Sequence, residues 1–163
     1  MSEMNSRQRN ALRAFSQAVQ ELRAAGVVRS HRYLGDIAEF ICAYAKDIVL
    51  NRNLRAPGHD GMQGSKRIQV KYGGSTKTNV SLGNPDTYDE ILVVLGPESV
   101  LRDKREKADF LIYTLLADEV RTFNPCNDGT FSCGKGGWKD KSPDRVNLDE
   151  LVSSNEEGVQ NFV

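Results

Sequence analysis

The chain has 163 residues, of which 39% are apolar and 27% charged, a balance that suits one globular domain with a buried core. Its 22 basic and 22 acidic residues cancel, which excludes a long-range attraction of the whole molecule to nucleic acid and leaves only local attraction. Three cysteines argue against a disulfide framework. The sequence has neither an apolar run of membrane-spanning length nor a secretory segment, so we expect a cytoplasmic protein that does not bind membranes.

The N-terminal part of the chain predicts an amphipathic helix, which we assign to residues 1–26. Large apolar side chains recur there at helical spacing, at Leu12, Phe15, Val19 and Leu22. Gly26 stops the pattern, as glycine commonly does at the end of a helix.

Residues 32–47 predict a second helix with two different apolar faces. One face carries large side chains, namely Ile37, Ile41, Tyr44 and Ile48, and the other carries the small residues Gly35, Ala38, Cys42 and Ala43. Glu39 falls among the small residues, which let a helix approach a sheet closely, so we expect Glu39 to face the strands. The alternative is that Glu39 is a solvated charge on the outside of the helix.

The elements that follow predict an α/β fold with a mixed central β-sheet flanked by helices. The run 91–95 is apolar throughout, as in a central strand that is buried on both faces. Other candidate strands are 48–54, the segment around Gln69 to Lys71, and 110–116, with 120–123 as a candidate continuation of the sheet.

Glycine, serine and polar residues dominate the other segments. They predict a loop or frayed strand over 72–83 and a polar stretch over 124–144, followed by a short helix near 148–152. We interpret residues 1–163 as a single domain with a core at 31–123 and a loop-rich C-terminal extension at 124–163.

A short polar series in the core has the composition of a metal and phosphate site. Side chains alternate along a strand, so Gln69 and Lys71 emerge on one face and Val70 on the other. A turn at 63–65 would fold Asp60 back beside them, bringing a carboxylate, an amide and an ammonium to one sheet edge. The alternatives are that Gln69 and Lys71 are exposed edge residues and that Asp60 is a turn residue before glycine.

This series resembles the active-site motif of the PD-(D/E)XK nuclease superfamily, which has the restriction-endonuclease-like fold. The resemblance covers about residues 31–95 and is carried by Glu39 in Gly35-Asp36-Ile37-Ala38-Glu39, by Asp60 in Gly58-His59-Asp60-Gly61, and by Gln69-Val70-Lys71. His59 stands where the motif usually has proline. Gln69 stands in place of the second acid, a substitution that some members of the superfamily carry and that leaves full catalytic competence open.

The resemblance implies a Mg²⁺ site, with Mn²⁺ as a substitute. Asp60 would be the bridging ligand, completed by the backbone carbonyl of Val70 and the amide oxygen of Gln69. Glu39 would act directly or through a water, and Lys71 would orient the water nucleophile and stabilise the developing negative charge.

Two further segments are candidates for contact with nucleic acid. Ser75, Thr76, Lys77 and Asn79 follow the Lys71 strand directly and offer hydroxyl, amide and ammonium donors to phosphates. Around the glycine-rich run at 134–137, Lys135 and Lys139 could meet phosphates and Trp138 could stack on a base, although a flexible surface loop is the simpler interpretation. His59 could donate to phosphate or act as a base, and a lone loop histidine is more often incidental.

Together these features predict a metal-dependent endonuclease of the restriction or homing type that cuts double-stranded DNA. Cutting both strands requires two active sites, so the resemblance implies a homodimer or a higher symmetric homo-oligomer, with the N-terminal helix as a candidate interface. The alternatives are a decayed site in a DNA-binding or protein-interaction module, and a regulatory domain in which these residues are ordinary surface.

Overall fold

The computed structural model describes residues 4–54, 58–74 and 76–151. The chain divides into two compact units between Ile37 and Ala38, and each unit is described by itself.

The first unit contains the predicted N-terminal helix, α1, which spans Ser6–Ala24. Asn5 and Gln8 form a capping box, in which each backbone amide donates to the other side chain at 2.9 Å. The chain leaves α1 through Gly26, whose φ of 74° lies in the region that favours glycine. No residue of α1 is buried, and Leu12 and Phe15 are each 55% exposed.

The second predicted helix, α2, spans Tyr33–Ala45 and so crosses the division between the units. Its start is fixed by Asp36, whose carboxylate accepts hydrogen bonds from the backbone amides of Arg29 at 2.7 Å and Ser30 at 2.5 Å. In the second unit its small-residue face is buried, since Ala38 and Cys42 are 0% exposed and Ala43 is 3% exposed. Tyr44, expected on the large apolar face, is instead 47% exposed, and its ring contacts that of Phe40.

The second unit is built on strands that form a mixed sheet, which confirms the α/β class. The strands are β1 (Val49–Leu50), β2 (Gly61–Gln63), β3 (Lys66–Gly73), β4 (Val80–Gly83), β5 (Glu90–Leu95), β6 (Phe110–Leu116), β7 (Phe131–Cys133) and β8 (Asp144–Val146). Six of them form one sheet in the order β1-β2-β3-β5-β6-β8, while β4 and β7 form a separate antiparallel pair. In the large sheet only β3 and β5 run parallel.

The core is centred on β5, as the apolar run predicted. Each residue of 91–95 is at most 1% exposed. One hydrophobic cluster joins alternate residues of β5 and β6 to Val80 and Leu82 of β4 and to Trp138. Trp138 ends a 3-10 helix at Lys135–Trp138, and its ring stacks on that of Tyr113 with centroids 5.3 Å apart.

Two strand predictions fail for local reasons. The strand expected at 48–54 is only the two residues of β1, and the Asn51 amide makes one further hydrogen bond, to the Asp60 carbonyl, before the chain bends at Arg52. The continuation expected at 120–123 is wrong: the chain forms a short helix, α3, at Ala117–Val120. The Glu119 carboxylate accepts a hydrogen bond of 2.7 Å from the backbone amide of Leu116 and so satisfies a donor at the start of that helix.

Two of the three expectations for the remaining segments, those for 72–83 and 148–152, are confirmed in part. Within the segment 72–83, residues 80–83 form β4. The C-terminal helix is α4, at Leu148–Leu151, and Val152 lies outside the described residues.

We predict that Ala38→Leu destabilises the protein by about 1 to 3 kcal/mol, because three added carbons would overpack a fully buried face of α2. Urea denaturation of both proteins measures the change. The matched control is Ala14→Leu, the same substitution at an exposed position of α1. Equal midpoints for wild type and Ala38→Leu would show that this face has room for larger side chains.

Candidate metal and nucleic-acid site

Asp60 occupies a fixed position in the sheet, immediately before β2. Its backbone amide donates to the carbonyl of Ile68 at 2.8 Å, and its own carbonyl accepts the amide of Asn51 at 2.8 Å. Gly61 belongs to β2 and pairs with Ile68, so the alternative of an Asp-Gly turn is wrong. Glycine is required there because a Cβ would lie 2.7 Å from both Ile48 Cγ2 and the Val49 carbonyl oxygen.

The Asp60 carboxylate is in direct contact with the middle of β3. Its Oδ2 atom accepts two hydrogen bonds, from Gln69 Nε2 at 2.5 Å and from the Val70 backbone amide at 2.7 Å. Gln69 is 9% exposed, so its amide group lies in a largely buried place. The structure therefore brings together three of the predicted residues, and it is the amide nitrogen of Gln69 that faces Asp60.

Lys71 lies two residues farther along β3 and therefore on the same face as Gln69. Its register partner on β5 is Val93, which is fully buried. The Lys71 side chain is half-buried, and its ammonium makes no hydrogen bond or ion pair with any residue in the described ranges. The site thus has a cation that is not neutralised by a described carboxylate.

Glu39 is linked to this region through Cys42, which follows it by one turn on α2. Burial raises the pKa of the Cys42 thiol far above its usual value; Lys46 opposes the shift, and the negative charges of Asp60 and Glu39 add to it. Both carboxylates therefore act on the same buried thiol. Glu39 itself is neither fully buried nor fully exposed.

The segment that leads into Asp60 is held by residues that the sequence did not point to. The Thr87 hydroxyl donates to the Gly58 carbonyl at 2.9 Å, and Asn51 Nδ2 donates to the His59 carbonyl at 2.9 Å. Gly58 has a φ of 96°, and a Cβ there would lie 2.5 Å from Thr87 Cβ. No signal in the sequence connects Gly58 with Thr87, because 29 residues separate them.

His59 acts electrostatically on Asp89. Hydrogen bonds from the Arg67 side chain and backbone lower the pKa of the Asp89 carboxyl to about 2, and His59 adds a smaller lowering effect. His59 therefore belongs to the surroundings of the Arg67–Asp89 ion pair, in which Arg67 Nη2 lies 2.9 Å from Asp89 Oδ1.

The two candidate nucleic-acid segments lie side by side. Pairing of β4 with β7 joins Val80 to Cys133, and a Cβ on Gly134 would lie 2.6 Å from the Thr78 carbonyl oxygen and 3.2 Å from Asn79 Oδ1. This arrangement brings the cationic segment after β3 next to the segment that carries Lys135 and Lys139.

Most of the predicted phosphate-binding side chains are exposed. Thr76, Lys77, Asn79, Lys135 and Lys139 are all exposed, and Ser75 lies outside the described residues. Lys135 donates to the Arg102 carbonyl at 3.2 Å, and its charge also acts on the nearby Asp103 carboxylate, whose pKa is lowered mainly by Arg105. Lys77 and Lys139 have no ion pair with a described residue.

Trp138 corrects the expectation for the glycine-rich segment. It is 3% exposed and belongs to the hydrophobic core, so it is not a surface ring that could stack on a base. The neighbouring Lys141 forms a 2.7 Å ion pair with Glu119. The segment contributes lysines to the surface, while its tryptophan anchors it to Tyr113.

Among the described residues, no cluster of three or more histidine, cysteine, aspartate and glutamate side chains is arranged to hold a metal ion. No helix in the described part of the chain is long and apolar enough to cross a membrane.

No protein-family model matches the chain, and comparison with curated proteins finds no match.

We expect Gly58→Ala to lower the thermal midpoint more than Gly64→Ala does. Both glycines have positive φ, and such a replacement costs about 1 kcal/mol for the backbone alone. Only at position 58 would the new methyl group also collide with Thr87, since nothing lies within 4 Å of a Cβ on Gly64. Equal losses in the two variants, measured by calorimetry, would show that Thr87 does not hold this segment.

Proposed function

We propose that this protein is a Mg²⁺-dependent DNA endonuclease with a restriction-endonuclease-like fold. The observation that carries the proposal is the contact of the Asp60 carboxylate with Gln69 and Val70. On the same face of β3 as Gln69 lies the Lys71 ammonium, which forms no ion pair with a described residue. A carboxylate that contacts a strand carrying an ammonium is a suitable arrangement for binding a metal ion and a phosphodiester together.

The strand order supports the same proposal. Three antiparallel strands, β1 to β3, are followed by the parallel pairing of β3 with β5, which gives a mixed sheet as the motif resemblance implies. The small-residue face of α2 is buried, and Glu39 lies on that helix between Ala38 and Phe40. These features support the assignment of the four motif residues to one site.

The donor set suits a hard cation. Asp60 is the ligand that we assign first, with the Val70 carbonyl as a second oxygen donor and Glu39 as a direct or water-mediated one. A bound Mg²⁺ or Mn²⁺ supplies charge neutralisation at the phosphoryl oxygens and a more acidic water. Lys71 orients the attacking water and stabilises the negative charge that develops on the phosphate.

Double-stranded DNA is the partner that we propose for the adjacent surface. Lys77, Lys135 and Lys139 supply local positive charge in a molecule of zero net charge, and Thr76 and Asn79 add neutral donors. A homodimer or a higher symmetric homo-oligomer would provide two sites for the two strands. The exposed apolar side chains Leu12 and Phe15 of α1 support a role for that helix in assembly.

A second candidate function is a non-catalytic DNA-binding or protein-interaction module. The observation that favours it is the orientation of Gln69, which donates to Asp60 and adds no negative charge to the site. The lysines at 77, 135 and 139 would serve such a module equally well, so the two functions differ in metal binding and cleavage.

We expect wild-type protein to bind Mg²⁺ or Mn²⁺ and Asp60→Ala to lose that binding while remaining folded. Isothermal titration calorimetry measures the affinity, and circular dichroism checks the fold. The matched control is Asp140→Ala, which removes an exposed carboxylate outside the site. If Asp60→Ala binds metal as well as wild type does, Asp60 is not a ligand.

Two lysine variants separate catalysis from binding. Lys71→Ala should cut DNA on the order of 100-fold more slowly or worse and bind it nearly as well as wild type, because a stabiliser of the transition state is lost. Lys77→Ala should weaken DNA binding and flatten its salt dependence, because one phosphate contact is lost.

Supercoiled, linear and branched DNA in Mg²⁺ are the substrates for this comparison, and fluorescence anisotropy in Ca²⁺ measures binding. If wild-type protein cuts none of the three with Mg²⁺ or Mn²⁺ but still binds DNA through Lys77, the binding module replaces the nuclease as the function.

A further inference from the structure

We propose that the loop between β5 and β6, residues 96–109, forms a third side of the DNA-binding surface beside the Lys77 and Lys135 segments. Lys104 at the tip of this loop contacts a phosphate, and the buried Arg102 is the positioning residue that holds the loop in place. The identity of the ligand, double-stranded DNA, rests on the proposed function. The conformation of the loop does not depend on that function.

The guanidinium group of Arg102 joins the two ends of the loop. Arg102 is 8% exposed, and its donors are directed at backbone carbonyl groups. Nη1 donates to the Asp109 carbonyl at 3.0 Å and Nη2 to the Ala108 carbonyl at 2.5 Å. Two longer contacts, both of 3.5 Å, reach the carbonyls of Leu95 and Glu106. A planar arrangement of several donors is specific to arginine, so a lysine could not hold these four carbonyls together.

The loop contacts both lysine segments. On one side, the Ser99 hydroxyl donates to the Gly74 carbonyl at 3.5 Å, three residues before Lys77. On the other side, the Arg102 carbonyl accepts the hydrogen bond of Lys135 at 3.2 Å. The three segments therefore meet beyond the carboxyl ends of the parallel strands β3 and β5, which is where α/β sheets commonly bind their ligands.

A tight turn at 103–106 carries Lys104. The Glu106 amide donates to the Asp103 carbonyl at 3.1 Å, and the Asp103 carboxylate accepts the Arg105 amide at 2.9 Å. Arg105 lowers the pKa of the Asp103 carboxyl most, and the charge of Lys135 adds to this effect. The turn that presents Lys104 therefore lies beside Lys135.

The charges of the loop leave Lys104 available to a polyanion. Residues 102–107 contain four cations and two anions, and both anions are engaged in ion pairs. The pairs are Asp103 with Arg105 and Glu106 with Arg145. Lys104 is exposed and forms no ion pair with any residue in the described ranges. Because Arg102 fixes the loop before DNA binds, contact at Lys104 requires little additional ordering of the chain.

The first experiment measures DNA binding by fluorescence anisotropy in Ca²⁺ over a series of salt concentrations. Lys104→Ala should lower the slope of log K against log[salt] by about 0.9, because one phosphate contact is lost. The matched control is Lys66→Ala, which removes the same charge at the opposite end of β3, where Lys66 pairs with Glu90. Its slope should equal that of wild type.

Two results of this experiment would overturn the proposal. One is an unchanged slope in Lys104→Ala, and the other is an equal reduction in Lys104→Ala and Lys66→Ala, which would show only a general effect of charge. In either case the effect of Lys77→Ala still tests the DNA-binding surface of the proposed function.

Arg102→Lys tests the positioning role, since it keeps the charge and removes the arrangement of donors. It should weaken DNA binding, and the further effect of Lys104→Ala should be smaller in this variant than in wild type, because the loop no longer holds Lys104. Equal effects of Lys104→Ala in the two backgrounds would show that Arg102 does not position Lys104.

Hydrogen exchange measured by NMR tests the loop without DNA. The amides of Arg105 and Glu106 are hydrogen-bonded within the turn, so they should exchange slowly in wild type and faster in Arg102→Lys. Circular dichroism checks the fold of that variant. Unprotected amides in wild type would overturn the proposal even if Arg102→Lys does not fold. If wild type binds no DNA, the Lys104 contact fails together with the DNA partner of the proposed function, whereas hydrogen exchange still decides the role of Arg102.

Discussion

The parallel pairing of β3 with β5 is the constraint on which the second unit of this protein depends. The two strands pair in register over six positions, from Ile68 with Glu90 to Gly73 with Leu95. Two parallel strands cannot be joined by a tight hairpin, so the chain needs a long crossover between them. Here the crossover is 74–89, and it contains the Lys77 segment, β4 and Thr87. The pairing therefore determines both the centre of the core and the segments that surround Asp60.

The same pairing explains why a polar strand is stable beside an apolar one. β5 is buried along its length, so the neighbouring β3 must satisfy any polar group that it buries. Gln69 meets this requirement through Asp60, and the Asp60 backbone is itself bonded to Ile68 and Asn51. The hydrogen bonds that stabilise the sheet are thus the ones that orient the candidate metal ligand. Lys71, on the same face but nearer to solvent, keeps an ammonium without a described partner.

The charges of this molecule cancel over the whole chain but leave some parts of its surface charged. The net charge is zero, and many surface charges are engaged in pairs such as Arg67 with Asp89, Arg121 with Asp86, and Lys141 with Glu119. The cations at 77, 135 and 139 differ because they form no ion pair with a described residue, and the pairing of β4 with β7 collects them on neighbouring segments. Attraction of a polyanion to this surface would be short in range and strongly weakened by salt.

The sequence by itself determined those helices and strands that can be recognised from the spacing of apolar residues along a short segment. The apolar runs of β5 and β6 and the periodicity of α2 predicted those elements to within about two residues, and the periodicity of α1 predicted its end equally well but its start five residues too early. Spacing along the chain decides which face of such an element is apolar. Strand alternation also put Gln69 and Lys71 on one face of β3 and, with the turn at 63–65, predicted that Asp60 lies beside Gln69.

Only the tertiary structure decided the features that depend on distant neighbours. Trp138 is buried because it meets Tyr113, and Gly61 is needed because Ile48 passes within 2.7 Å of where a Cβ would be. Thr87 holds Gly58 across 29 residues, and pairing of β4 with β7 unites two lysine segments that lie about 60 residues apart in the sequence. The orientation of Gln69 belongs with these features, since it follows from the acceptors that the folded sheet places around its amide, and a strand pattern shows only on which face that amide lies.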